Sequence, residues 1–216
     1  MARFDLVAFD LYGTLLDVSG LVARIEEVAG PEAASLLPRW RQAQLERSWR
    51  IVRGSAYEPW DAVTLAALEE VAPEMPRATR ERLAGLWAAV PAFPDAGGTL
   101  DALKASGVSR VVLSNGTRAM IRSALDAADL RVDRVLSADD VGVYKTDPRV
   151  YALLDALADR DRTLFASSNG WDADGARRTG RLVAWIDRGG EPPKTEPTYR
   201  VTALSEIASL ARTTGG

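Results

Sequence analysis

The sequence predicts an α/β fold, in which a parallel β-sheet is covered by helices and interrupted by a helical insert. From about residue 95 onward, short β-branched runs alternate with segments of helical periodicity, a pattern typical of a parallel sheet. Residues 5–10 form a further apolar run near the start of the chain, as expected of a strand covered on both faces. Between residues 19 and 93 the patterns are helical, which indicates an insert after the first strand.

The predicted strands are bounded by polar or glycine-containing segments. The polar, proline-rich residues 188–198 are typical of a surface loop and lead either to a final strand or to a turn and a helix. We therefore predict a Rossmann-like core that consists of residues 1–18 and 94–216. Its predicted strands are residues 5–10, 109–113, 132–136, 163–166 and 182–186.

The insert is predicted to be a bundle of helices separated by breaks that contain proline and glycine. The run Pro-Ala-Phe-Pro at residues 91–94 closes the insert before the next core helix begins. We predict a four-helix cap subdomain over residues 19–93. Its helices are expected over residues 21–29, 40–53, 61–72 and 77–90.

The composition favours a globular protein that acts on a small molecule. With 216 residues, of which 47% are hydrophobic, the chain can bury a substantial core. The formal net charge of −3 gives no basic field for nucleic acid. No run approaches the roughly 18 apolar residues of a membrane span, and no signal-peptide pattern precedes the first strand. We expect a cytoplasmic location, with no nucleic-acid and no membrane partner.

The chain contains no cysteine and no histidine. These absences exclude disulfides, thiol nucleophiles and Cys/His zinc sites. They also exclude a Ser-His-Asp triad and an imidazole general base. If the protein is an enzyme, the remaining polar side chains must carry its chemistry.

Polar residues stand where three predicted strands end. In an open parallel sheet, ligands bind outside the carboxyl ends of the strands. These residues could instead cap the helices that follow, although capping and catalysis are compatible. The strand-end residues are Asp10, then Ser114 and Asn115, then Ser167, Ser168 and Asn169, with Asp172 shortly after.

Five motifs together resemble the L-2-haloacid dehalogenases of the haloacid dehalogenase superfamily. Any one motif would indicate only the superfamily, whereas the combination is specific to the dehalogenase branch. The resemblance runs from residue 4 to about residue 175. The motifs are Asp-Leu-Tyr-Gly-Thr-Leu at 10–15, Trp-Arg-Gln-Ala-Gln-Leu-Glu at 40–46, Leu-Ser-Asn-Gly at 113–116, Val-Tyr-Lys-Thr-Asp-Pro-Arg-Val-Tyr at 143–151 and Ser-Ser-Asn-Gly-Trp-Asp at 167–172.

Tyr12 separates the dehalogenases from the phosphatases of the same superfamily, which place a second aspartate at that position to protonate an alkoxide. A halide is a weakly basic leaving group and needs no proton. Ser168 and Asn169 stand where an acidic Mg²⁺ ligand would be expected, so the resemblance implies no metal and no cofactor. A Mg²⁺-dependent phosphatase acting on a small phosphorylated metabolite remains an alternative. A non-catalytic binding protein is another, because fold alone does not prove activity.

The resemblance implies hydrolysis of short L-2-haloalkanoic acids to D-2-hydroxyalkanoic acids and halide. Asp10 would attack the halogen-bearing carbon and form an ester with inversion. Lys145 would act as its counter-charge, and Asp172 would activate the hydrolytic water. Supporting roles fall to Thr14, Ser167 and Asn169.

The same resemblance implies a substrate cradle shared by cap and core, and a homodimer. Arg41, Asn115 and Trp60 would hold the halide, where the family commonly has Phe in place of Trp60. Ser114 and backbone N–H groups near Leu11, Tyr12 and Asn115 would hold the carboxylate. Thr146 follows Lys145 where the family often has Pro. Further expected contacts to the substrate are Gln42, Leu45, Tyr151, Ser168 and Trp171.

Overall fold

The computed structural model describes residues 3–212, which form one sheet of six parallel strands with helices on both faces. The predicted α/β class is confirmed. The strands run in the order β3-β2-β1-β4-β5-β6, so the first strand of the chain lies at the centre. The strands are β1 (Leu6–Phe9), β2 (Ser109–Ser114), β3 (Arg134–Ser137), β4 (Thr163–Ser167), β5 (Leu182–Ile186) and β6 (Tyr199–Val201).

Nine α-helices occur among the described residues, and the first four of them lie in the insert between residues 19 and 93. These four are α1 (Leu21–Ala29), α2 (Leu36–Val52), α3 (Trp60–Val71) and α4 (Arg77–Gly85). The others are α5 (Ala96–Ala105), α6 (Arg118–Ala127), α7 (Pro148–Ala152), α8 (Gly170–Arg178) and α9 (Leu204–Arg212). No helix in the described part of the chain is both long enough and apolar enough to cross a bilayer.

The central strands are apolar because each of their faces is buried in a separate hydrophobic cluster. Val7 and Phe9 of β1 pack into one cluster, and Leu6 and Ala8 pack into the other. Alternate residues of a strand point to opposite faces, so a strand covered twice needs no polar position. Both clusters include helices α2 and α3, which join the insert to the sheet.

Three predicted elements differ from the structure by more than one residue at a bound. The helix predicted at 40–53 begins four residues earlier, at Leu36. The strand predicted at 132–136 begins at Arg134, because Asp133 instead receives the backbone N–H and the guanidinium of Arg110. The helix predicted at 77–90 ends as an α-helix at Gly85 and continues as the 3₁₀ turn Leu86–Ala89. After the predicted surface loop at 188–198, the structure has a strand, β6, followed by helix α9.

Candidate active site

The polar residues predicted at strand ends lie at the carboxyl ends of three neighbouring strands. Asp10 follows β1, Ser114 ends β2, and Ser167 ends β4. These strands are adjacent in the sheet in the order β2-β1-β4, so their ends bring the residues to one edge. Asp10 lies in the centre of this group.

The carboxylate of Asp10 is almost fully buried and is held through both oxygens. Its Oδ1 accepts a hydrogen bond from Lys145 Nζ at 2.9 Å. Its Oδ2 accepts from Thr14 Oγ1 at 3.0 Å and from Asn169 Nδ2 at 2.7 Å. Only 6% of the residue is exposed.

Lys145 is fully buried and is shared by two carboxylates. Its Nζ donates to Asp10 Oδ1 at 2.9 Å and to Asp172 Oδ2 at 2.8 Å. Burial lowers the pKa of Lys145, but attraction by Asp10 and Asp172 outweighs it and leaves the pKa above its ordinary value. The side chain therefore carries a stable positive charge between two acids.

Asp172 lies in the first turn of α8 and has no exposed surface. Its Oδ2 also accepts from Ser167 Oγ at 3.1 Å, and its Oδ1 accepts from Tyr151 Oη at 2.7 Å. Burial raises the pKa of Asp172 to about 6, with Lys145 opposing the rise and Asp10 adding to it. Two carboxylates in different environments are thus linked by one lysine, an arrangement suited to nucleophile and base.

Asn169 begins α8, but its side chain makes no capping bond to that helix. The amide instead donates to Asp10 Oδ2 and, at 3.2 Å, to the carbonyl of Tyr12. Ser168 ties the same loop to the Asp10 loop, because its N–H donates to Thr14 Oγ1 and its hydroxyl donates to the carbonyl of Gly13. Simple capping therefore does not account for Asn169.

The loops that follow β1 and β2 carry hydrogen-bond donors that no other described residue accepts from. Asn115 Oδ1 accepts the backbone N–H of Lys145 at 3.0 Å, which orients the loop that carries the lysine. Among the described residues, nothing accepts from the amide nitrogen of Asn115 or from the backbone N–H groups of Leu11, Tyr12 and Asn115. The hydroxyl of Ser114, 2% exposed as a residue, accepts from the N–H of Gly116. These groups could bind an anion beside Asp10.

Arg41 and Leu45 lie one turn apart on α2, so they share a face of that helix. The charge of Arg41 is close enough to Asp10, Tyr12 and Asp172 to interact with each of them. Burial lowers the pKa of Arg41, and the negative charges oppose that effect. Arg41 makes no hydrogen bond or ion pair with the residues that the structure describes, so its guanidinium has donors available for an anionic leaving group.

Gln42, expected to contact the substrate, lies elsewhere on α2. Its side chain is exposed and donates to Glu46 Oε1 at 2.9 Å, one turn further along the helix. The neighbouring Gln44 is buried instead and donates to Thr64 Oγ1 at 2.9 Å, which ties α2 to α3. The structure therefore does not bring Gln42 together with the other predicted residues.

Two predicted tryptophans lie at the boundary between the insert and the core. Trp60 is buried and meets the ring of Tyr144 edge-on, with centroids 5.1 Å apart, and its indole N–H is unpartnered among the described residues. Trp171 is partly exposed and meets Trp49 of α2 edge-on at 6.5 Å. Trp171 and Trp49 line a cavity of about 350 Å³ together with Thr146. Trp60 packs instead in the apolar cluster that includes Tyr144, the residue before Lys145.

Sequence reasoning missed Trp87, which lies in the 3₁₀ turn after α4 and is fully buried. Its carbonyl accepts the hydroxyl of Tyr12 at 3.1 Å, and its ring lies beneath the guanidinium of Arg41, with 5.6 Å between Cζ and the ring centroid. Helical periodicity predicts a buried tryptophan here but does not identify which polar groups it meets. The high tryptophan content of the insert was the available signal.

The arrangement can support attack by a carboxylate, followed by attack of water on the resulting ester. Asp10 is the candidate nucleophile, Lys145 its counter-charge and Asp172 the candidate base. Among residues 3–212, no group of three or more acids forms a metal-binding cluster. The hydroxyl of Tyr12 is bonded to Trp87 and burial raises its pKa, so it offers no acid to a leaving group.

Comparison with known proteins gives a consistent result. Residues 4–180 match the family model of the haloacid dehalogenase-like hydrolases. The chain is 39% identical to (S)-2-haloacid dehalogenase 4A of Burkholderia cepacia, over 94% of this chain and 92% of that protein. It is 38% identical to (S)-2-haloacid dehalogenase 1 of Pseudomonas sp. strain CBS-3, over 94% of each. The structure of L-2-haloacid dehalogenase from Xanthobacter autotrophicus with chloropropionic acid covalently bound has a TM-score of 0.91 and 28% identity, and the match covers 98% of this chain and 100% of that chain.

Proposed function

The chain belongs to the haloacid dehalogenase-like hydrolases, within the (S)-2-haloacid dehalogenases, and we propose that it hydrolyses short L-2-haloalkanoic acids. The products are the D-2-hydroxyalkanoic acid and halide. One observation carries the proposal: Asp10 directly follows the central strand and is paired with a buried lysine, while the residue two places on is a tyrosine whose hydroxyl is already bonded. In the first half-reaction such a site offers a nucleophile but no acid for the leaving group, which suits a weakly basic halide.

In the first half-reaction, a carboxylate oxygen of Asp10 attacks C2 of the substrate from the side opposite the halogen. The new C–O bond forms as the carbon–halogen bond breaks, and the electron pair leaves with the halide. An ester of Asp10 results, and C2 is inverted. The covalently bound chloropropionic acid in the Xanthobacter autotrophicus structure supports an intermediate of this kind.

Lys145 pairs with the carboxylate of Asp10 and orients it before the attack. Its Nζ contacts Oδ1, whereas neutral donors from Thr14 and Asn169 contact Oδ2. Burial of the lysine makes its charge more effective than it would be in water. When Asp10 becomes a neutral ester, Lys145 remains paired with Asp172.

In the second half-reaction, water attacks the ester carbonyl carbon of Asp10. Asp172 accepts the proton of that water and returns it to the departing alkoxide oxygen as the acyl C–O bond breaks, so the product hydroxyl carries the oxygen that Asp10 delivered to C2. Asp10 is regenerated with one oxygen from water. Ser167 and Tyr151 hold the carboxylate of Asp172 through its two oxygens, which fixes the direction of its free electron pairs.

We propose that the substrate carboxylate binds the unused donors at the ends of β1 and β2. These donors are the N–H groups of Leu11, Tyr12 and Asn115, with the hydroxyl of Ser114 beside them. The halide then lies toward the insert, near Arg41, the amide nitrogen of Asn115 and Trp60. Residues 19–93 would thus act as a cap that supplies leaving-group contacts.

Halide release from separate L- and D-2-chloropropionate samples, with EDTA present, tests this function directly. We expect chloride from the L isomer only, and D-lactate as the product. The control is p-nitrophenyl phosphate with Mg²⁺, which would report the phosphatase alternative. Phosphate release without chloride would overturn the proposal, and failure of a well-folded preparation to act on either substrate would favour a binding protein.

A single turnover in heavy-oxygen water tests the ester. With enzyme in excess over substrate, the heavy oxygen should appear in the peptide that contains Asp10, and the hydroxy acid should carry ordinary oxygen. The reverse distribution would mean that water attacks C2 directly.

Homodimerisation and a cytoplasmic location stay predictions. We propose the homodimer on the family resemblance alone and the location on the sequence patterns alone. Analytical ultracentrifugation over a range of concentrations would measure the oligomeric state, and a mass of one chain, 23.3 kDa, at all concentrations would contradict the dimer.

A further inference from the structure

Trp87 lies where the insert meets the loop that carries Asp10. Its main-chain carbonyl accepts the hydroxyl of Tyr12, and the two rings meet edge-on with centroids 5.5 Å apart. Trp40 of α2 meets Trp87 edge-on from another side at 5.6 Å. Tyr12, two positions after Asp10, therefore holds the ring of Trp87 in a fixed place relative to Asp10.

Arg41 lies over the ring of Trp87, with Cζ 5.6 Å from the centroid. In the described part of the chain, Arg41 has no hydrogen bond or ion pair that could direct its long side chain otherwise. A guanidinium over an indole face is attracted by the ring, and the attraction grows when water is excluded. The indole face is thus the contact that orients Arg41.

The indole nitrogens distinguish the two tryptophans of this cluster. Trp40 donates its N–H to the carbonyl of Thr64 at 2.8 Å, as expected of a residue that holds α2 and α3 together. The N–H of Trp87 is buried and has no partner among the described residues. The contribution of Trp87 therefore comes from its ring face and its carbonyl, which contact Arg41 and Tyr12.

We infer that Trp87 is a positioning residue. It holds the Arg41 guanidinium in a fixed place relative to Asp10, and the guanidinium there binds the departing halide. This inference rests on the proposed function, because it gives Arg41 a halide to bind. Trp87 itself touches neither the substrate nor the reacting atoms. It links the cap arginine to the nucleophile loop through Tyr12.

The test compares Trp87→Leu, Trp87→Phe and the matched control Trp40→Phe, with kcat and KM measured for L-2-chloropropionate and L-2-bromopropionate. Trp87→Leu should lower kcat for the chloro substrate about tenfold, since a desolvated cation–π contact has that magnitude. The loss should be smaller for bromide, the better leaving group. Trp87→Phe keeps an aromatic face and should recover most of the rate, and Trp40→Phe should stay within about twofold of the wild type.

A double-mutant cycle with Arg41→Ala separates positioning from general packing. If Trp87 acts through Arg41, then Trp87→Leu should cause no further loss of kcat in the Arg41→Ala background. Independent, multiplicative losses would overturn the inference, as would an equal loss in Trp40→Phe. Should Trp87→Leu fail to fold, the same cycle with Trp87→Met, which also lacks an aromatic face, carries the test.

Crystal structures of the Trp87 variants distinguish failure of this inference from failure of the proposed function. An unmoved Arg41 guanidinium in Trp87→Leu, or in Trp87→Met if Trp87→Leu does not fold, would overturn the inference whatever the activity. Absence of halide release from the wild type would instead overturn the proposed function. A displaced guanidinium together with the tenfold loss would support both.

Discussion

The core half and the cap half of the candidate site are held in different ways. On the core side, Asp10, Lys145 and Asp172 are joined by direct hydrogen bonds, and each carboxylate oxygen has a partner. On the cap side, Arg41 and Trp60 are held by ring contacts and packing. The hydrogen-bonded half fixes atoms to within a narrow range of angles, whereas packed rings tolerate small shifts.

This difference indicates a division of labour. Bond making and ester hydrolysis need fixed geometry, and the groups that we propose for them come from the sheet edge. Recognition of the leaving halide needs a positive charge, and the group that we propose for it, Arg41, comes from the cap. Substitutions in the core half should therefore abolish a step of the reaction, whereas substitutions in the cap half should change the preference for one substrate over another.

The largest effect is expected for Asp10→Asn, which removes the nucleophile. An uncharged amide attacks carbon poorly, so kcat should fall by about 10⁴-fold or more. Halide release measures the rate, and circular dichroism checks that the fold is retained. Halide release at the wild-type rate from a folded Asp10→Asn protein would show that Asp10 is not the nucleophile. It would also contradict the proposed difference between the core half and the cap half.

Asp172→Asn should separate the two half-reactions. The ester can still form, but its hydrolysis loses the base, and kcat should fall by about 10³-fold. We expect a burst of one equivalent of halide per site, and mass spectrometry should find the substrate attached to the peptide containing Asp10. A slow linear release with no burst would mean that Asp172 serves the first step instead.

The pH dependence of ester hydrolysis should report the pKa of Asp172, which burial raises to about 6. Below that pH the carboxyl group takes up a proton and cannot accept one from water, so the rate should fall about tenfold per pH unit. In the ester, Asp10 has lost the negative charge that helps raise this pKa, so the acid limb should lie at pH 6 or below. Single-turnover measurements between pH 4.5 and 8 would show it, and an acid limb above pH 7 would contradict the assignment.

A smaller effect is expected for Tyr151→Phe, which removes one hydrogen bond from Asp172. That bond lowers the pKa of Asp172, so its loss should move the acid limb to higher pH and slow ester hydrolysis about fivefold at pH 7. The matched control is Tyr144→Phe, which loses a hydrogen bond to the carbonyl of Glu58 and leaves Asp172 untouched. An equal shift of the acid limb in both variants would show that the Tyr151 contact is not its cause.

The smallest effect is expected for Trp60→Phe, in the cap half. The smaller ring leaves more room beside Tyr144, and the preference for L-2-chlorobutyrate over L-2-chloropropionate should rise by about threefold, with little change in kcat for the smaller substrate. Steady-state kinetics on both substrates would measure this. A large fall in kcat for both would mean that the cap half contributes directly to bond breaking.

The core half could be predicted from the sequence further than the cap half. Parallel strands bring their carboxyl ends to one edge, so Asp10, Ser114 and Ser167 could be expected together from strand order alone. The cap offers no such rule. Several arginines share α2 with Arg41, and periodicity does not show which of them faces the core. The resemblance singled out Arg41, but it also suggested Gln42, which faces solvent.

The position of Trp87 could not be predicted for a similar reason. Its contact with Arg41 joins residues 46 positions apart in the sequence, and it depends on how the turn Leu86–Ala89 packs under α2. The bounds of an element also could not be predicted where a side chain takes a backbone hydrogen bond, as Asp133 does before β3. Local patterns identify elements, whereas the packing between the elements determines which side chains meet.

The buried pair of Asp10 and Lys145 joins positions 135 residues apart. In an unfolded chain, bringing such distant residues together costs loop-closure entropy that no local structure can offset. The nucleophile therefore acquires its counter-charge only after β1, β2 and β4 have assembled. During renaturation, recovery of dehalogenase activity should lag behind recovery of helix, which would make turnover a sensitive reporter of the last stage of assembly.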